Sequence, residues 1–452
     1  MIAKARVAAF DILQALSSGR ADLPTALAQA REALDDDRDR ALAGEIAAGV
    51  LRHRAALDHL IAVFAKRDIE RLDPEVVTIL RLSSYQLLHL TRVPASAVVD
   101  DAVDLAKRAR KRSASGFVNA VLRSISRSRR DLPVPPRPGT PSDREAALTY
   151  LSTTLSHPRW LAERWYDRLG FERAEQWMLF NNQPARLTLR ANRLKTSPES
   201  LALRLDREDV IVEAGRWAPD ALIVTEGRPL HGDLAGDGWF VVQDEASQVV
   251  ALLAGRDPGP RVLDTCASPG GKTTALAAAM DGRGSIVACD VRDKRIALLE
   301  RTVATSGATN VRLHDADVAQ PLPFSETFDC VLVDAPCSGL GTLRRDPDIR
   351  WRRTADDLPA LAAAQGAMLR HAAACVAAGG RLIYSTCSSE PEENDEVADA
   401  FLAATNAFAV VDARTIPGVP AGVVDARGRL RTTPDEHGLE CFFGAVFERA
   451  KL

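Results

Sequence analysis

A chain of 452 residues is long for one hydrophobic core and sets an expectation of two or three domains. Its composition, 46% hydrophobic and 26% charged, is that of an ordinary soluble globular protein, and no run of about 18 apolar residues exists to form a membrane span. The net charge of −3 hides an asymmetry: Leu105 to Arg130 holds nine Lys or Arg and no acid. Clustered like charge neutralises phosphates, so this block reads as a nucleic-acid contact.

The first 130 residues carry apolar positions at helical spacing, as in "RVAAFDILQAL" and "PEVVTILRLSSYQLLHL", and predict an all-helical domain. The start "MIAKARVAAF" reads as an amphipathic helix rather than a secretory signal, because Asp11 interrupts it and no small-residue cleavage site follows. Residues 131–142, "DLPVPPRPGTPS", hold five prolines and predict a stiff linker. Residues 143–256 mix a helical stretch, "PRWLAERWYDRLGFERAEQWML", with strand-like "ARLTLRAN", "DVIVEAG" and "GWFVVQD", which predicts a small α+β module.

From about residue 257 to 452 the pattern becomes regular. "RVLDTCA", "SIVACD", "VRLHDAD", "FDCVLVDAP" and "RLIYSTCS" read as strands, and helical stretches separate most of them. Strands alternating with helices imply βαβ units on a parallel sheet, with ligands at the carboxyl ends of the strands.

The loop "TCASPGGKTT", Thr265 to Thr274, looks like a phosphate cradle. A P-loop needs G-x-x-x-x-G-K-[ST], and with Gly271-Lys272-Thr273 as its second half the first glycine should stand at 266. That residue is Cys266, so a nucleotide triphosphatase is disfavoured. Asp290 ends the next strand, 19 residues after Gly271, the interval at which an acid meets ribose hydroxyls in nucleoside-binding folds. Asp317 and Asp334 stand at the ends of the following two. Several strand-end carboxylates around one glycine loop suit a ligand with hydroxyls and a cationic amine, such as S-adenosylmethionine, better than a triphosphate.

All seven cysteines fall in the C-terminal half. An odd number with no C-x-x-C spacing argues against disulfides and zinc and for the reducing cytoplasm. Cys289, Cys330 and Cys375 read as inert packing. Cys337 and Cys387 differ, since each follows an apolar strand and opens onto the face that carries the glycine loop.

The stretches "LDTCASPGGKT", "DAPCSGLG", "RRDPDIRW" and "YSTCSSEPEEN" together resemble the RsmB/Sun (NOL1/NOP2/Sun) group of RNA cytosine-C5 methyltransferases, and the helical N-terminus resembles NusB. The resemblance implies three parts: a NusB-like RNA-binding domain, an RNA-binding α+β module and a Rossmann-like class I methyltransferase domain. It implies that Cys387 attacks C6 of the cytosine and that Cys337 helps release the product. Cys266, Ala267, Ser268, Pro269, Gly270, Gly271 and Lys272 would form the S-adenosylmethionine loop, with Asp290, Asp317 and Asp334 lining the site. Asp334 would also bind the N3/N4 edge of cytosine. Pro-Cys thiols serve as nucleophile in DNA cytosine methyltransferases, and the residues alone do not choose between the two cysteines. The expected partner is small-subunit ribosomal RNA, with no metal and no oligomer required. A tRNA substrate and a non-catalytic RNA-binding or antitermination role are the alternatives. Two further features carry expectations: "LRRDPDIRWRR", Leu343 to Arg353, should contact unstacked RNA through Arg and Trp, and Leu439-Glu440, extra relative to the usual pattern, should disturb the last strands.

Overall fold

The computed structural model describes residues 2–140 and 142–451, so Pro141 of the proline-rich stretch lies outside it. The chain forms two compact units: residues 1–184 with 343–355, and residues 185–342 with 356–452.

The first unit is helical. Helices Lys4–Ser17, Leu23–Ala33, Asp37–Arg52, Arg54–Ala65, Pro74–His89, Ala95–Arg108 and Ser115–Arg127 pack around a core that includes Phe10, Ile46, Leu57, Ile79, Leu105, Leu122 and Ile125. Their starts follow local chemistry. The Asp22 and Asp36 carboxylates accept the Thr25 and Arg38 amide N–H groups, and Pro74 stands where its missing N–H costs nothing. The basic block takes in the last turn of the helix Ala95–Arg108 and all of the helix Ser115–Arg127, and these bury Leu105, Val118, Val121, Leu122 and Ile125 on their inner faces. Part of its charge is answered locally, by Lys107–Asp104 at 2.8 Å, Arg108–Asp11 at 3.3 Å and Lys111–Asp73 at 3.3 Å. Helices Arg144–Thr149, Arg159–Leu169 and Phe171–Asn181 pack within this unit. Apolar periodicity marks a buried face without naming what covers it.

The second unit opens with β1 (Thr188–Ala191), β2 (Ile211–Ala214), β3 (Ala221–Glu226) and β4 (Phe240–Val242), an antiparallel sheet in the order β2-β3-β1-β4. The stretch "ALIVTE" of β3 completes a sheet of which the sequence reading identified three strands. The larger sheet contains β5 (Arg261–Asp264), β6 (Ser285–Asp290), β7 (Val311–Asp315), β8 (Phe328–Asp334), β9 (Val376–Thr386), β10 (Phe408–Val411), β11 (Leu430–Thr432) and β12 (Phe442–Arg449). Its order is β10-β12-β9-β8-β5-β6-β7, with β11 paired to β12. Strands β5 to β9 run parallel, and β12 enters antiparallel between β9 and β10. This is the Rossmann-like arrangement. The order reverses at β5, flanked by β6 on one side and β8 on the other, and that switch point opens a crevice at the carboxyl ends of the strands.

Two local departures stand out. Gly379-Gly380 lies inside β9, as a bulge between the pairs Phe328↔Val376 and Cys330↔Arg381. The extra residues Leu439 and Glu440 leave β12 intact: both are buried, and beside them the Cys441 N–H donates to the Gly341 carbonyl at 2.9 Å.

Candidate functional site at the carboxyl edge of the sheet

Strand β5 delivers the glycine loop. Gly270 adopts a left-handed φ of 102°, and a Cβ there would lie 3.0 Å from Leu299 and Thr302, so the turn needs glycine twice over. The helix Gly271–Ala279 starts directly after it. Arg190 of β1 holds that start from below: it bonds the Gly271 carbonyl, Thr274 Oγ1 at 2.7 Å and Gln243 Oε1 at 2.6 Å. Burial lowers its pKa to about 10, leaving it a cation at neutral pH.

Each strand end contributes a carboxylate in a different state. Asp290 ends β6; its Oδ2 accepts the Ser268 N–H at 3.1 Å and its Oδ1 accepts the Val291 N–H at 2.9 Å and pairs with Arg295 at 2.9 Å. Asp317 lies two residues beyond β7, exposed, and accepts the Ala319 N–H at 2.9 Å. Asp334 ends β8 and is bonded by Lys272 Nζ at 2.6 Å and by Ser385 Oγ at 2.9 Å. Lys272 is 11% exposed. Its burial opposes the charge, but Asp334 and, further off, Cys387 and Asp264 outweigh it and raise the lysine's pKa.

Asp264, at the end of β5, is the acid that sequence reasoning missed. It is 1% exposed; Thr273 Oγ1 donates to its Oδ2 at 2.7 Å, while its Oδ1 is buried with no hydrogen-bond partner. Burial pushes its pKa up to about 7. Its position closing the apolar run "VLD" just before the loop was the available signal.

The two cysteines meet. Cys337, three residues after Asp334, and Cys387, directly after β9, place their sulfurs 3.3 Å apart, and both side chains are partly exposed. The Cys337 pKa is raised well above the ordinary thiol value, first by the hydrogen bond with Cys387 and then by burial. Cys289, Cys330, Cys375 and Cys441 are buried in the fold, and burial drives the first two thiols up to about 12. Cys266 is likewise shifted up by burial and by Asp264, which makes it a wall of the loop rather than a nucleophile.

The stretch Leu343 to Arg353 behaves differently from expectation. It belongs to the helical unit, where Arg350 is fully buried and donates to Asn182 Oδ1 at 2.8 Å and to the carbonyls of Asn181 at 3.1 Å and Ser156 at 3.2 Å. The Trp351 indole N–H donates to the Leu51 carbonyl at 2.7 Å. Arg350 is consumed by packing and is not presented to RNA as the composition suggested, whereas Trp351 stays partly exposed and Arg352 exposed.

Comparison with known proteins places this geometry. Residues 250–448 match the 16S rRNA methyltransferase RsmB/F family, residues 3–127 the NusB family, and residues 157–231 the RsmF/B-like ferredoxin-like domain. The chain is 35% identical to ribosomal RNA small subunit methyltransferase B of Pseudomonas putida, over 92% of each chain. It is 32% identical to the protein of that name from Xanthomonas campestris, over 98% of this chain and 97% of the relative. The crystal structure of PH0851 superposes with a TM-score of 0.80 at 26% identity, covering 99% of both chains. With the parallel sheet, the glycine loop and the paired thiols in place, the chain belongs to the RsmB/F family of 16S rRNA methyltransferases.

Proposed function

We propose that the protein methylates carbon 5 of a cytosine in small-subunit ribosomal RNA, using S-adenosylmethionine and a transient bond between Cys387 and C6. The observation that carries this reading is the thiol pair at 3.3 Å beside the Lys272–Asp334 ion pair.

The residues fit the methyl donor. The Asp264 oxygen without a partner is a buried acceptor suited to an α-amino cation. Asp290 is an acceptor suited to ribose hydroxyls, and the Gly270 turn keeps side chains out of the loop. S-adenosylmethionine supplies an electrophilic methyl group on a sulfonium.

Cytosine C5 is a poor nucleophile, and the protein's task is to activate it. The Cys387 thiolate adds to C6 and places electron density on C5. Either sulfur can donate in the 3.3 Å contact between them, and donation from Cys337 to the Cys387 sulfur is the arrangement a Cys387 thiolate needs. Asp334 binds the N3/N4 edge, with Lys272 fixing the orientation of its carboxylate. After C5 takes the methyl group, a base in the site removes the C5 proton, and the electron pair of that C–H bond restores the ring double bond as the Cys387 thiolate leaves C6. Cys337 serves this release. The target base has to leave any helical stack to reach the thiol.

The test is a pair of substitutions read on denaturing gels with labelled ribosomal RNA. Cys387→Ala should abolish methyl transfer and form no adduct, and Cys337→Ala should accumulate a covalent protein–RNA adduct. An adduct that appears with Cys387→Ala and not with Cys337→Ala reverses the roles. Methylation of transfer RNA in preference to small-subunit RNA removes the substrate assignment.

A further inference from the structure

The two thiols sit on separate loops, and their proximity depends on what holds the loops in register. Two backbone bonds flank the pair: the Ala335 N–H donates to the Ser385 carbonyl at 2.8 Å, and the Gly341 N–H to the Cys387 carbonyl at 3.0 Å. A Cβ at Gly341 would stand 2.7 Å from that Cys387 carbonyl and closer still to Cys441, so this approach requires glycine. Between those anchors lies Glu393, on the short turn Pro391–Glu393, with none of its surface exposed.

Its carboxylate accepts four hydrogen bonds. Oε1 takes the Ser338 N–H at 2.7 Å and the Gln365 amide at 2.9 Å; Oε2 takes the Ser338 and Ser388 hydroxyls, each at 2.5 Å. A carboxylate offers about four lone-pair sites, and all of them are used. Ser338 directly follows Cys337 and Ser388 directly follows Cys387, so one buried charge grips the neighbour of each thiol. The scaffold behind it is equally tied. Gln365 also bonds the Pro336 carbonyl at 3.0 Å, and the Tyr384 hydroxyl bonds the Glu393 carbonyl at 2.5 Å.

We propose that Glu393 is the positioning residue that sets the register of the two cysteine loops and so couples attack by one thiol to release by the other. This rests on the thiol roles given above. Four donors converge on the carboxylate, and one of them, the Ser338 N–H, cannot be turned around. An amide at 393 would put its own donor among them, whereas a buried carboxylate satisfied by four donors is at home. The Glu393 charge also adds to the forces that keep the Cys337 proton in place, after the Cys387 hydrogen bond and burial.

The experiment compares the full-length wild type with Glu393→Gln and with Ser338→Ala, which removes one hydroxyl and places no new donor in the interior. The first readout is bridging of Cys337 and Cys387 by a short bis-alkylating thiol reagent, identified by peptide mass spectrometry. The second is methyl transfer to ribosomal RNA with adduct quantified on denaturing gels. Glu393→Gln should lower bridging in favour of single alkylation. It should cut kcat roughly a hundredfold, as for an ångström of misplacement, leave KM for the methyl donor unchanged, and accumulate adduct. Ser338→Ala should change each readout in the same direction by a smaller factor, which keeps the proposal testable if Glu393→Gln fails to fold. Unchanged bridging in the folded variants overturns the register proposal whatever the thiols do. Reduced bridging with unchanged kcat and adduct leaves the register standing and removes the thiol roles on which the coupling rests.

Discussion

Arg350 and Lys272 are both buried cations, one in each unit, and they are matched by different chemistry. Arg350 meets carbonyl oxygens and an amide; burial lowers its pKa to about 9, and its fan of donors ties helix ends and turns together. Lys272 meets a carboxylate, whose charge raises its pKa against the pull of burial, and that carboxylate lies three residues from a thiol. A buried cation spent on carbonyls braces a fold, because neutral dipoles take its terminal N–H donors without leaving a second charge to react. A buried cation paired with a partly exposed carboxylate keeps a charged group at the mouth of a site. Neither the Ile349 and Trp351 beside Arg350 nor the Gly271 and Thr273 beside Lys272 name a partner, and only the partners separate the two cations.

The sharpest way to break the comparison is at the carboxylate. Asp334→Asn should lower kcat/KM by about a thousandfold, since it removes a preorganised charge at the reacting base and leaves Lys272 buried and unpaired. Single-turnover methylation measures this, and a change under tenfold would erase the distinction. Next is Arg350→Met, which should destabilise the helical unit by about 3 kcal/mol through carbonyls left without donors. Chemical denaturation reads that loss, while the salt dependence of RNA binding should not change. Neutralising Arg123, Arg127, Arg129 and Arg130 should do the reverse. RNA affinity should fall about tenfold with a flatter salt slope, and stability should hold within about 0.5 kcal/mol.

The smallest effect concerns Asp264. Its pKa rises from an ordinary carboxylate value to about 7 on folding, so the folded chain binds more protons than the unfolded one between these limits. Stability attributable to this group is therefore full at acid pH and declines as pH rises through about 7. Asp264→Asn should flatten that decline, seen as a smaller difference in Tm between pH 5 and pH 8. A wild type whose Tm is indifferent to pH in this window would remove the argument.

Much of the catalytic unit was legible because parallel strands are buried on both faces and read as short apolar runs between helices. "SIVACD" is β6 to the residue, and Gly307 closes the helix Asp293–Ser306 in the left-handed conformation expected of a helix end. A Gly-Gly pair fits a bulge and a loop equally well, and only the pairing of β9 with β8 shows that the strand continues through Gly379-Gly380. In "RRDPDIRW" one residue departs from expectation for a related reason. An Arg-Trp cluster serves RNA stacking or buried packing equally well, and Arg350 takes the second course.

Amino-acid order by itself determined the fold class, the glycine loop after β5 and the two cysteines placed after strands, since each of these rests on local periodicity or on contiguous motif spacing. Tertiary structure alone decided which charges face one another: that Lys272 answers Asp334, that Asp264 keeps an oxygen without a partner, and that Glu393 reaches both cysteine loops. These pairings join residues as far as 62 positions apart. Hydrogen-bond partners at such separations are set by strand order and register, which no local pattern encodes.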